Sequence, residues 1–223
     1  MEWTPIWLSL KLAAITTLIL LLIGIPLAYW LSRRRTLLKV FIEAFLTMPL
    51  VLPPSVLGFY LLISFSPNSS LGKWLLEYFD LSLVFSFEGL VVASVIYSLP
   101  FMVSPVKSAL AHLPISLSEA SYTMGKSKAE TFYRVLLPNI KSSLLTAAVL
   151  TFAHTLGEFG VVLMIGGKLD GITKVASIAI YDAVENNEYH QANQYSLVLF
   201  CITFLIVILV FIFNRNSSRG PLE

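Results

Sequence analysis

One cysteine, three histidines and little charge are the first features of this chain. Lys and Arg number 15 and Asp and Glu 13 among 223 residues, so 13% are charged, about half the ~25% of soluble globular domains. The lone Cys201 excludes an intrachain disulfide. It is expected to be a small packed residue in the last apolar run. No close pair of His or Cys has metal-ligand spacing. There is no GxxxxGK[ST] phosphate loop and no GxSxG nucleophile turn. The chain therefore cannot hydrolyse ATP by the usual machinery, and any pumping must draw on another subunit. Net charge is only +2 and the basic residues sit beside apolar runs, which excludes a nucleic-acid partner. Disordered linkers, low-complexity tracts and an evident internal repeat are missing as well. The length suits a single domain over 1–223.

What is abundant is hydrophobic sequence, 57% of the chain, in long runs separated by short charged clusters. Five runs, about 6–31, 41–65, 88–109, 141–165 and 194–213, each approach or exceed the ~20 residues that cross the hydrocarbon layer as a helix. Backbone groups in lipid must be bonded internally, and the alternating short strands of a barrel are missing. The fold class is thus an all-α integral membrane protein, a bundle of five transmembrane helices in the lipid bilayer. Glu2 and the lack of a basic leading segment argue against a cleaved signal peptide. The first run is expected to remain as a span, with Thr4 as cap, Pro5 in the first turn and Lys11 snorkelling to the outer interface.

Basic residues orient the bundle. With the N-terminus outside, Arg33, Arg34, Arg35, Lys39, Lys107, Lys126, Lys128, Arg134, Lys141, Arg215 and Arg219 fall inside. Only Lys11, Lys73, Lys168 and Lys174 fall outside. The positive-inside rule favours this arrangement, with a cytoplasmic C-terminus.

Span 2 carries Pro49, Pro53 and Pro54 within MPLVLPPSVLGFY, 48–60. Proline removes a helical donor and clashes with the preceding turn, so the helix should kink or break. A packing kink and a broken helix lining a pathway both fit. The stretch KWLLEYF, 73–79, reads as a short interfacial helix after a turn. Between spans 3 and 4, about 110–139, lie two amphipathic stretches joined at Gly125. Ser116 or Ser118 can cap the first, with Glu119 in its first turn, and Gly125 permits a left-handed turn. Such a loop is longer than a connection needs; it is a surface hairpin or a docking surface for a soluble partner. In span 4, His154 and Glu158 are four apart on one helix face. They form either a structural helix–helix hydrogen bond or part of a gate, since an intramembrane carboxylate is costly unless paired or watered. The segment 166–193 is polar and carries a net charge of −2 from its Lys, Asp and Glu residues.

The loop resembles that of the permeases of binding-protein-dependent importers, whose motif reads EAA, three residues, Gly, nine residues, Ile, one residue, Leu-Pro. Here Glu119-Ala120-Ser121, Gly125, Val135 and Leu137-Pro138 keep that spacing, with Ser for the second Ala and Val for Ile. The resemblance implies an ABC importer permease fold. It also implies a cytoplasmic coupling helix, carried by Glu119, Ala120, Ser121, Gly125, Leu137 and Pro138, that seats in a separate ATP-binding subunit. Along nearly the whole chain the sequence is similar to molybdate-type permeases, most tellingly at 48–60, at HTLGEFGVVLMIGG, 154–167, and at TKVASIAIYDAVE, 173–185. That similarity implies a homodimer in a bacterial or archaeal inner membrane. An extracytoplasmic oxyanion-binding protein would deliver substrate, and ATP and Mg would bind the partner ATPase and no cofactor this chain.

Sulfate, thiosulfate or tungstate could replace molybdate as cargo. An ATPase-independent transporter or a membrane scaffold would lack a reason for the loop's spacing. The middles of the spans hold no arginine. A dianion would therefore meet weak donors, and the candidates for the path or gate are Thr47, Pro53, Pro54 and Ser55 on span 2 and Thr151, His154, Thr155 and Glu158 on span 4. Alternatively the hydroxyls bond to their own helices.

Overall fold

The computed structural model describes residues 1–33 and 36–217; Arg34, Arg35 and Arg219, counted above as inner residues, lie outside them. Among the described residues all regular structure is helical. Three helices are long and apolar enough to cross a membrane, or up to five if each of two bent pairs is one span.

Helix α1 (Thr4–Ser32) forms one axis of the bundle. Its cap is Trp3, not Thr4, because the Trp3 carbonyl already accepts from the Trp7 amide at 3.0 Å. Helix α5 (Phe87–His112), capped by the Ser86 hydroxyl on the Gly89 amide, lies along α1. The two approach closely at Gly24, where a Cβ would stand 2.8 Å from Met102 Cγ. Lys11 lies over the Phe87 ring at 4.5 Å, a cation–π contact at the start of α5.

The second apolar run is two helices. α2 (Leu37–Val51) and α3 (Pro54–Phe65) meet at 113°. Leu52 and Pro53 each precede a proline and take extended angles, ψ 140° and 135°, as proline imposes on its predecessor. Pro49 stays inside α2 without ending it. After the Ser69 cap, α4 (Ser70–Phe79) is the short helix expected outside the span.

The run 141–165 is likewise not one helix. α9 (Lys141–Leu156) stops at Gly157, and α10 (Gly160–Gly166) resumes after a break. Two glycines around Glu158 weaken the helix there. The polar segment 166–193 contains a helix that its charge conceals, α11 (Ala176–Glu185). Apolar residues at 176, 179, 180 and 183 supply its helical period. α12 (Tyr189–Ser217) begins five residues before the 194 expected. Only 6% of its apolar window is buried, and Cys201 on it is exposed rather than packed.

Burial divides by depth. Leu8, Leu12, Leu90, Val161, Ile165 and Ile178 form a cluster near the start of α1, and Leu20, Leu31, Met102, Val106, Phe132 and Ile140 form another near its end. Ile6, Ala176, Ala179 and Tyr195 join α11 and α12 to the first turn of α1.

Candidate functional site

The loop between α5 and α9 folds as α6 (Ile115–Thr123), α7 (Lys128–Thr131), a π turn over Phe132–Leu136 and α8 (Leu137–Asn139). Pro114 is the N-cap of α6, and no side chain caps it; Ser116 and Ser118 lie inside the helix. Proline's fixed φ already suits a helix start. At the other end Gly125 has φ +77°. Its amide donates to the Tyr122 carbonyl at 2.9 Å, and the Lys126 amide donates to that of Ser121 at 3.1 Å. This pair of reversed bonds is a Schellman ending, which satisfies carbonyls left open by the helix.

Glu119 and Ala120 are exposed on α6, and Ile115, Met124 and Tyr133 are exposed around them. Ser121 is turned inward. It is 1% exposed and its hydroxyl meets the buried Thr131 hydroxyl at 2.9 Å, tying α6 to α7. Ser127 and Glu130 form a capping box. The Ser127 amide first, and Lys126 second, hold the Glu130 carboxyl below its usual range. Leu137 is half-buried against the inner cluster and Pro138 is exposed. Pro138 cannot donate to the Arg134 carbonyl, and the backbone widens there: the Leu137 amide reaches Phe132, five residues back. The Asn139 amide side chain donates to the Val135 carbonyl at 2.7 Å.

The second site lies where the two broken helices touch. Gly160 packs on the start of α3; a Cβ there would stand 2.8 Å from Pro54 Cβ and 3.3 Å from the Ser55 nitrogen. Beside this contact opens a groove of about 630 Å³, lined by Pro54, Ser55, Tyr97, Ala153, His154, Gly157, Glu158, Phe159 and Gly160. His154 and Glu158 do not bond to each other. Ser94 donates to Glu158 Oε2 at 2.7 Å, and Ser98 Oγ lies 2.9 Å from both His154 Nδ1 and Thr155 Oγ1. Both cross to α5, so the helix–helix bonding expected of them is made with serines. Ser177 of α11 donates to the Glu158 carbonyl at 2.6 Å, so the break is held from two sides. Glu158 is 4% exposed, and its Oε1 has no protein partner. Phe101 stacks on His154 with ring centroids 3.9 Å apart, and Tyr97 approaches it at 4.8 Å.

The groove therefore unites Pro54, Ser55, His154 and Glu158 but not the other expected path residues. Thr47 bonds to the carbonyls of Glu43 and Ala44 on its own helix, at 3.0 and 2.9 Å. Pro53 is the N-cap of α3. Thr151 and Thr155 are buried in the bundle. Ser94, Ser98 and Ser177 escaped sequence reading. Ser94 and Ser98 repeat the spacing of four found in Glu158 and His154, and that matched register was the available signal. At the same end as the N-terminus, Asp182 bonds Lys174 at 2.7 Å and Lys168 at 3.3 Å, Lys174 being the larger cause that holds its carboxyl low. Among the described residues no group of three His, Cys, Asp or Glu could hold a metal ion.

Residues 20–221 match the family described as the binding-protein-dependent transport system inner membrane component, and the chain belongs to it. It is thus a multi-pass membrane component and not an enzyme. Among its relatives, the molybdenum transport system permease protein ModB of Azotobacter vinelandii is 44% identical over 98% of this chain and 94% of its own length. The sulfate transport system permease protein CysT of Escherichia coli is 32% identical over 88% of this chain and 69% of its own. In fold, the chain is similar to a chain of the inward-facing MetNI methionine ABC transporter, with a TM-score of 0.73 at 19% identity over 96% of this chain and 95% of that one.

Proposed function

We propose that this chain is the permease subunit of an ATP-driven importer of a tetrahedral oxyanion, molybdate first. The 44% identity to a molybdenum permease over nearly the whole chain carries the reading. Two copies pair in the inner membrane, two ATPase subunits attach inside, and a soluble oxyanion-binding protein delivers cargo outside. The N-terminus is outside and the C-terminus cytoplasmic, with five spans, α2 with α3 and α9 with α10 counting as one each. Glu119, Ala120 and Gly125 present the loop to the ATPase, while Ser121, Leu137 and Pro138 shape it from within. The exposed Ile115, Met124 and Tyr133 support a docking role, because large apolar side chains clustered outside a bilayer mark interaction surfaces.

Pro54, Ser55, His154 and Glu158 line the outer part of the path. A dianion stripped of water in a low-dielectric passage is severely destabilised. A groove open to water with hydroxyls at hand keeps it solvated without holding it. Sulfate is the second reading, favoured by the CysT relationship; tungstate and thiosulfate follow from the same chemistry. The test is ATP-dependent uptake of labelled molybdate by the reconstituted complex, with tungstate and sulfate as competitors. Uptake displaced by sulfate more readily than by molybdate would move the assignment to sulfate, and uptake without ATP would remove the importer reading.

A further inference from the structure

Below the outer groove, the same pair of helices carries a second groove of about 520 Å³. Ser108 and His112 of α5 and Ser142, Ser143 and Thr146 of α9 line it, with Pro105 at its upper edge. His112 Nδ1 donates to the Ser108 carbonyl at 2.7 Å, which holds the ring beside the groove. Among the described residues no carboxylate lines it, and Glu43 on the neighbouring α2 is engaged in an ion pair with Lys107.

The two grooves share a face. On α5 the positions 97, 101, 105, 108 and 112 recur at steps of four, four, three and four, the spacing of one helical stripe. Phe101 sits on that stripe between the grooves, one turn above Pro105 and about 10 Å above Ser108 at 1.5 Å per residue. Its ring covers His154, a lining residue of the outer groove.

The chemistry of this face distinguishes it from a lipid surface. α12 exposes Leu197, Phe200, Phe204 and Ile208, as a helix bathed in hydrocarbon should. The α5 stripe and its neighbour expose Ser104, Ser108 and His112, and polar side chains without water or partners are unfavourable in hydrocarbon.

We propose that the inner groove is a second oxyanion station, and that Phe101, stacked on His154, closes the path between it and the outer groove. The proposal rests on the outer groove's being the entry to the path. The Ser108, Ser142 and Ser143 hydroxyls that line it give a tetrahedral oxyanion weak donors on the cytoplasmic side, while the Thr146 hydroxyl donates to the Ser142 carbonyl at 3.0 Å. The apolar ring above keeps ion and water from passing until α5 and α9 shift.

The test uses the complete complex in proteoliposomes, with Cys201→Ser as background and single cysteines at Ser55, Ser108 and, as the lipid-facing control, Phe200. A small hydrophilic thiol reagent should modify Ser108→Cys from the cytoplasmic side and Ser55→Cys from outside, and should spare Phe200→Cys. Molybdate should slow modification of Ser108→Cys several-fold. Adding Phe101→Ala, or the milder Phe101→Leu if the alanine variant does not assemble, should let external reagent reach Ser108→Cys in the resting complex. If Ser55→Cys behaves as stated but Ser108→Cys is unreactive or unprotected, the inner station is overturned and the outer path stands. If neither position reacts, the path itself is wrongly assigned. External access unchanged by either Phe101 variant would remove Phe101 as the closure.

Discussion

Gly125 shows how one backbone angle fixes a docking surface. Nothing lies within 4 Å of a Cβ built there, so a substitution meets no clash and its effect comes from φ +77° alone. An L side chain in that region costs about 1–2 kcal/mol, more for a β-branched one. Gly125→Val should lower uptake per ATP hydrolysed several-fold and weaken ATPase binding, while Gly125→Asn, which tolerates the left-handed region, should retain most of both. Pull-down of the ATPase and coupled uptake assays read the difference. The glycine was legible because it stands between two amphipathic stretches. So was the His154–Glu158 spacing, but their partners were not. Ser94 and Ser98 share their spacing of four with Glu158 and His154, but a spacing alone names no partner, and the packing of α5 against residues 154–158 shows that they meet. The Thr47 expectation fails for a related reason: a hydroxyl within a helix has its own carbonyls in reach before any substrate is.

Among the elements, α6 and α7 depend on the Ser121–Thr131 contact. Both residues are buried, at 1% and 0% exposure. Ser121→Ala strands the Thr131 hydroxyl, which costs about 1–3 kcal/mol, whereas removing both hydroxyls is nearly neutral. Protease resistance of the loop should therefore fall in Ser121→Ala and return in Ser121→Ala with Thr131→Val. Coupled transport should follow the same order.

The start of α7 is pH-sensitive in a defined direction. Because the Glu130 carboxyl titrates lower when folded than its usual 4.5, its support of the cap is complete above that value. It is lost as pH falls through the lower folded value. The protection factor of the Ser127 amide, which donates to the Glu130 carboxyl, should fall on acidification below 4.5 once the intrinsic slowing of exchange is divided out. Glu130→Gln should remove most of that dependence. The Pro53–Pro54 pair marked the break in the second run. The break at Gly157 was harder to see because hydropathy continues across it, and α11 was hidden because its charged face dominated the segment's composition.

For the whole molecule, topology is the open quantity, and it is set by charge rather than packing. In a Cys201→Ser background, cysteines at Ser70 and Asn187 should react with an impermeant reagent added outside intact cells, and one at Ser127 should not. Labelling of Ser127→Cys alone would invert the orientation. The all-helical class could be read from hydropathy because lipid leaves the backbone few alternatives. The bend of 113° between α2 and α3 and that of 77° between the segment Lys128–Asn139 and α9 could not, since they follow from what each half packs against. The meeting of the two breaks has a kinematic consequence. Gly160 rests on Pro54, and Gly58 rests on Val161 and Met164, where a Cβ would stand 3.1 Å from the Val161 Cα. With two such close approaches, α3 cannot swing without carrying α10. Two breaks that sequence alone would count as independent are thus geared together, and whatever moves one end of the groove moves the other.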